Sequence, residues 1–305
     1  MLVTLFGLAG AFVYGAADFL GGLASRRLSP FAVTGIAAGS GLVVLIAVYP
    51  FVGGAWSAEA VLWGSISGVS GAIGISLLYA CLAIGPMSIL SPLTAVISAI
   101  VPLSIGLARG AAFQPIGYAA LALALVAVVL VGFVPEKDAA RPSLRGILMA
   151  IGSGATIGVF LVAIDAAPSD SGLVPLFFNR AVNGAIMAAV VLAAFLVARR
   201  RSDATARPDA ASARPGMADN RAGRGAGLGA ALALALACGV ADAAANGLIL
   251  AGLRLGELSV TSVLTALYPA GTIILASIVL KERIAPLQAV GLVLALAAAA
   301  MLSLA

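Results

Sequence analysis

Apolar residues along this chain fall into ten blocks of about twenty, separated by short polar or Gly/Pro-rich breaks. The blocks run over roughly 2–24, 31–52, 60–84, 88–108, 113–134, 144–166, 173–198, 226–251, 258–280 and 284–305, with ends placed to about 2–4 residues. At 1.5 Å per residue, a helix of that length reaches across about 30 Å of hydrocarbon. A membrane β-strand would instead alternate over about ten residues, and the stretch from Tyr118 to Val131 does not alternate. The pattern predicts an all-α membrane protein with ten transmembrane helices, multi-pass in a cell inner (plasma) membrane.

Composition removes the soluble alternative. Of 305 residues, 62% are hydrophobic and 10% charged, with mean hydropathy +1.16; soluble domains carry about 25% charged residues. The first block reads as a retained helix rather than a cleaved signal, because no Lys or Arg precedes it and Arg26 and Arg27 follow it. The chain has no His, and its two Cys, Cys81 and Cys238, both lie inside blocks. Most transition-metal sites, His-based acid/base chemistry and a disulfide framework are thereby excluded, and no cofactor is expected.

The distribution of the 17 Lys and Arg carries more than the net charge of +5. Fourteen lie in or beside odd-numbered connections: Arg26, Arg27, Lys137, Arg141, Arg145, the seven Arg between 199 and 224, Lys281 and Arg283. Arg109 and Arg254 lie in even-numbered connections, and Arg180 lies inside a block. The positive-inside rule places the odd connections in the cytoplasm and both termini outside. Trp56 and Trp63 flank the second connection, where an interfacial aromatic belt belongs. The basic excess is topology, and no nucleic-acid partner is expected.

The chain also repeats itself. A shift of 171 residues superposes Gly68 on Gly239, Gly85 on Gly256, Ser88 on Ser259, Ser91 on Ser262, Thr94 on Thr265 and Pro115 on Pro286. A shift of 139 places Gly7 on Gly146, Ala11 on Ala150 and Gly15 on Gly154. The difference of 32 is about the length of the loop 199–225, whose Ala, Arg, Pro, Asp, Ser and Gly cannot build a core and predict disorder. The reading is a first five-helix repeat over 1–134, a linker over 135–143 and a second repeat over 144–305. Five is odd, so the second repeat inserts upside down, the architecture of secondary transporters with a central cavity between the halves.

Three stretches of the second half, Leu255-Gly256-Glu257-Leu258-Ser259, Ala266-Leu267-Tyr268-Pro269 and Lys281-Glu282-Arg283-Ile284, resemble the signature of the drug/metabolite transporter superfamily, EamA type. Ile84-Gly85-Pro86-Met87-Ser88 echoes it in the first half, and Tyr14-Gly15-Ala16-Ala17-Asp18-Phe19 resembles that family's first span. The resemblance implies a ten-helix exporter of metabolites, amino acids or toxic compounds, with helices 1, 3, 4, 6, 8 and 9 around the cavity. Ala111 and Ser98 stand where the repeat would place counterparts of Glu282 and Pro269, so the halves do different jobs.

Asp18, Arg180 and Asp242 are the charges deep in the blocks. Each would cost about 2.5–3.5 kcal/mol unpaired at the bilayer centre, so each should face the bundle interior or water. Tyr14 shares a helix face with Asp18, Asn246 with Asp242, and Asn179 with Asn183. Arg180 is either a structural partner of Asp18 or Asp242 or a clamp for a carboxylate. Without His, a proton-coupled carrier needs a buried carboxylate that holds a proton near neutral pH, which makes protons the candidate coupled ion. Tyr79, Thr94, Thr265 and Tyr268 complete the candidate substrate-binding set, although single hydroxyls in spans also bond across helices or back to their own backbone. Gly64, Gly68, Gly71 and Gly74 predict close packing of helix 3, and Pro269 beside Tyr268 predicts a bend on the cavity side.

The rival from another class is an intramembrane aspartyl protease using Asp18 and Asp242, but the GxGD signature is broken in Gly239-Val240-Ala241-Asp242. No P-loop is present, and no acidic ring or carbonyl filter marks a channel. The expected function is therefore a monomeric, non-enzymatic secondary transporter in the lipid bilayer, exporting a small-molecule substrate by alternating access. Amino acids come first, because a zwitterion needs both signs of charge; toxic or drug-like compounds are the alternative, disfavoured by an aromatic content of 6%.

Overall fold

A computed structural model describes residues 2–84, 87–132, 143–205, 221–281 and 284–304. Among these, every regular element is helical: α1 (Leu2–Ser25), α2 (Pro30–Val52), α3 (Ala58–Ile84), α4 (Met87–Ala108), α5 (Pro115–Gly132), α6 (Leu144–Ala166), α7 (Val174–Thr205), α8 (Arg221–Leu255), α9 (Leu258–Thr265), α10 (Tyr268–Val279) and α11 (Pro286–Leu304). A single 3₁₀ turn, Ser169–Ser171, precedes α7. Seven segments are long and apolar enough to cross a membrane, with α9 and α10 forming one of them as Leu258–Val279. Leu93–Ala108, Pro115–Val131 and Pro286–Leu302 are apolar but shorter.

Local chemistry sets the starts. Ser29 Oγ accepts from Ala32 N at 3.2 Å with Pro30 at the first helical position of α2, and Ser143 Oγ accepts from Gly146 N at 3.1 Å ahead of α6. Within the loop expected over 199–225, residues 199–205 continue α7 and 221–225 open α8, because its Ala and Arg are good helix formers; residues 206–220 lie outside the described residues.

The span expected as one helix over 258–280 is two. α9 ends at Thr265 and α10 begins at Tyr268, with Ala266 N bonded to Ser262 O at 3.0 Å and Leu267 N to Leu264 O at 3.1 Å. Pro269 has no N–H to return to the Thr265 carbonyl, so the α-helical ladder cannot run through.

α1 packs on α8 and on the α9–α10 pair; α6 packs on α3 and α4. α2 lies against α7 and α8, α3 against α7, α4 against α9 and α5 against α11. Lipid tails are as apolar as these side chains, so close approach of backbones, rather than burial of large residues, holds such helices together. The glycines of α3 do this work: a Cβ at Gly68 would meet the Asn179 carbonyl oxygen at 2.7 Å, and one at Gly74 would meet Ile157 Cγ1 at 2.8 Å. Large apolar side chains such as Phe51, Leu192, Phe195 and Leu296 point outward, as a lipid-facing surface requires.

The face carrying the even-numbered connections is tied shut. Arg109 pairs with Asp165 at 2.8 Å. Arg254 donates to Ala167 O at 2.7 Å and Pro168 O at 2.9 Å, satisfying carbonyls left over where α6 ends. Ala55 N donates to Asp170 O at 2.9 Å, and Gly54, at φ 146°, lies flat on Ser171, where a Cβ would strike the backbone. Trp56 Nε1 donates to Tyr49 OH, and its ring meets Phe177 and Phe178 edge-on at 5.9 and 5.6 Å. Arg254→Met should lower stability by about 1–2 kcal/mol through the lost charge-assisted bonds, read as an earlier thermal midpoint in detergent. An unchanged midpoint would mean that water replaces the guanidinium at no cost.

Candidate functional site

The charged residues singled out within the blocks converge on one cavity of about 170 Å³ in the middle of the bundle. Its wall takes Tyr14 and Asp18 from α1, Asn179, Arg180 and Asn183 from α7, Asp242 from α8, Ser262 and Thr265 from α9, and Tyr268 from the start of α10. Gly71, Ile75 and Leu78 of α3 and Ile157, Phe160 and Leu161 of α6 supply most of the apolar remainder, and Ser98 of α4 adds a hydroxyl that donates to Ala95 O at 2.8 Å. Gly21, Thr34, Leu78 and Cys238 carry the lining toward the odd-numbered connections, on the side opposite the tied face.

Arg180 and Asp242 form an ion pair between α7 and α8, with side chains 9% and 14% exposed. Arg180 engages Asp242 Oδ2, and Asn246 Nδ2 reaches Oδ1 at 3.3 Å while also donating to the Asp242 carbonyl oxygen at 2.7 Å. Both carboxylate oxygens of Asp242 are thus held. Of the two expected partners for Arg180, the one it meets is Asp242. Asp18 is different: it is exposed to the lumen, and among the described residues no hydrogen bond or ion pair holds it.

The polar residues around this pair sort by their bonds. Asn179 Nδ2 donates to Ser67 Oγ at 2.9 Å, and Ser67 in turn donates to Gly64 O at 2.7 Å, locking α7 to α3. Asn183 Oδ1 and Arg180 Nε are buried without a partner. Thr265 lines the cavity while donating to Thr261 O at 2.7 Å. Tyr14 and Tyr268 face each other from α1 and α10, ring centroids 6.1 Å apart and tilted by 49°.

Other candidates lie elsewhere. Thr94 is fully buried off the cavity, donating to Leu90 O at 3.0 Å and Ala150 O at 3.3 Å, which ties α4 to α6. Asn246 sits behind Asp242 rather than on the wall. The Tyr79 side chain lies outside the described residues.

The family resemblance implies helices 1, 3, 4, 6, 8 and 9 around the cavity. α2 and α7 line it as well, through Val33, Thr34 and Ala37 and through the Asn179–Asn183 turn. Arg180 already carried the signal for α7, since a deep charge must face inward. α2 has no charge, and only its small residues at Ala37 and Gly41, beside α8, mark an inner face.

The model of the EamA-like transporter family matches residues 144–304 of this chain. The chain belongs to the EamA-like transporter family. It is accordingly a multi-pass membrane transporter of small molecules, and the protease alternative finds no support. A solved crystal structure of a protein matches 99% of this chain and 96% of its own length, with a TM-score of 0.68 at 17% identity, which is a likeness of fold alone. No curated protein matches the chain.

Proposed function

We propose that this chain is a ten-span secondary transporter that exports small metabolites, amino acids first, by alternating access between inverted halves over 1–134 and 144–305. The observation that carries the reading is the midspan cavity, polar of both signs, enclosed between elements of the two halves and tied shut at one end. The packing of α1 on α8 and on α9–α10 has a counterpart in that of α6 on α3 and α4, which supports the reading of two related halves. Gly15 abuts Tyr268 and Thr272, while its repeat mate Gly154 abuts Thr94 and Ile97; Gly68 abuts Asn179, while Gly239 abuts Ala37. Binding sites at such a repeat interface, beside a broken helix, are the common arrangement of secondary carriers.

Protein reconstituted in liposomes should exchange labelled amino acids in counterflow, run with and without a pH gradient. Exchange of cationic dyes but of no amino acid would remove the cargo, and net uptake that an imposed pH gradient cannot drive would remove proton coupling. Orientation in the membrane is tested separately. Ser212→Cys is expected to resist impermeant thiol reagents added outside intact cells, and labelling from outside would reverse the topology.

A further inference from the structure

We propose that the cavity selects solutes carrying an ammonium group and a net positive charge, with Asp18 as the group that recognises the ammonium. The inference rests on the transport reading above and narrows its substrate class. It starts from a charge balance. The described cavity wall holds two carboxylates, Asp18 and Asp242, against one guanidinium, Arg180. Arg180 and Asp242 neutralise each other, and Asn246 occupies the second Asp242 oxygen, so that pair offers a solute no free charge. Asp18 is the surplus: it faces the lumen, and no described residue bonds it.

A second observation points the same way. Asn183 Oδ1, on a residue 4% exposed, is an acceptor with no donor on the wall of the same cavity. Two unmet acceptors call for hydrogen-bond donors; an ammonium carries three, and unlike a hydroxyl it also meets the charge of Asp18. Tyr14, one helical turn before Asp18, and Tyr268 opposite it add aromatic surface that suits an alkylammonium. Arg180 Nε, a buried donor without a partner, would favour a cation that also bears a carboxylate. A neutral zwitterion would leave the cavity one negative charge in excess inside a low-dielectric bundle, and an anion would leave two.

The test measures equilibrium binding of labelled solutes to the purified protein by scintillation proximity, alongside counterflow in liposomes. The probes are lysine, 1,5-diaminopentane, leucine, glutamate and glucose. Lysine should bind at least about tenfold more tightly than leucine, and Asp18→Asn should weaken lysine binding roughly 10–150-fold, the scale of one lost charge-assisted hydrogen bond. Asp18→Glu should keep the preference, as should Glu59→Gln, an exposed carboxylate in the first turn of α3. If Asp18→Asn fails to fold, the ranking of lysine over leucine in the unaltered protein still decides. Leucine bound as tightly as lysine, or a preference that survives Asp18→Asn, would overturn the proposal while leaving transport intact. Cation binding without counterflow would sustain it and remove the transport reading. Binding of none of these cations would sink it.

Discussion

Arg180→Met is expected to cost about 3–5 kcal/mol, because it strands the Asp242 carboxylate in a buried site with only Asn246 beside it. The loss belongs to the unpaired charge and not to the pair as such. Adding Asp242→Asn to Arg180→Met should therefore restore most of the stability, since two neutral side chains leave no charge to desolvate. Arg180→Lys should sit between the two, keeping the charge but losing the planar fork. Unfolding of these three variants and of Asp242→Asn alone, in detergent micelles, measures this directly. Losses that simply add in the double variant would mean that the two residues act independently and that the ion pair is incidental.

Gly15→Ala should be nearly as damaging for a steric reason. A Cβ there would lie 2.6 Å from Thr272 N and 2.8 Å from Gly271 Cα, both backbone atoms that no rotamer change can move aside. α1 would have to leave the broken helix, at an overpacking cost of about 1–3 kcal/mol, and the Thr272 Oγ1 to Gly15 O bond at 3.1 Å would go with it. Gly22, on the same helix with nothing within 4 Å, is the control. Gly22→Ala should be neutral or stabilising by about 0.5–1 kcal/mol, the ordinary gain of Ala over Gly in a helix. Equal thermal midpoints for the two variants would show that the α1–α10 approach is not a constraint.

The helices themselves were legible because each is a local event in a solvent that tolerates no unbonded backbone. Expected limits of 31–52 and 144–166 stand beside Pro30–Val52 and Leu144–Ala166. The bend beside Pro269 was legible for the same reason: a missing N–H acts where it stands. Its form was not, since two separate helices with Tyr268 turned to the cavity depend on α1 packing at Gly15.

Which residue types matter was also readable, because a deep charge is costly wherever it points. Asp18, Arg180 and Asp242 could be named from the chain alone, as residues required to face the interior. What each one meets could not. Arg180 was compatible with either aspartate, and only the packing of α2 against both α7 and α8 brings it onto Asp242 and leaves Asp18 open. Thr94 and Thr265 coincide when the sequence is shifted by 171 residues, yet one is walled in by Ala150 and the other lines the cavity. Hydropathy and spacing act along one helix at a time, so they determined where this chain is helical and which of its residues need an interior. Pairing, exposure to the lumen and the shape of the cavity are properties of several helices at once, and the tertiary structure alone decided them.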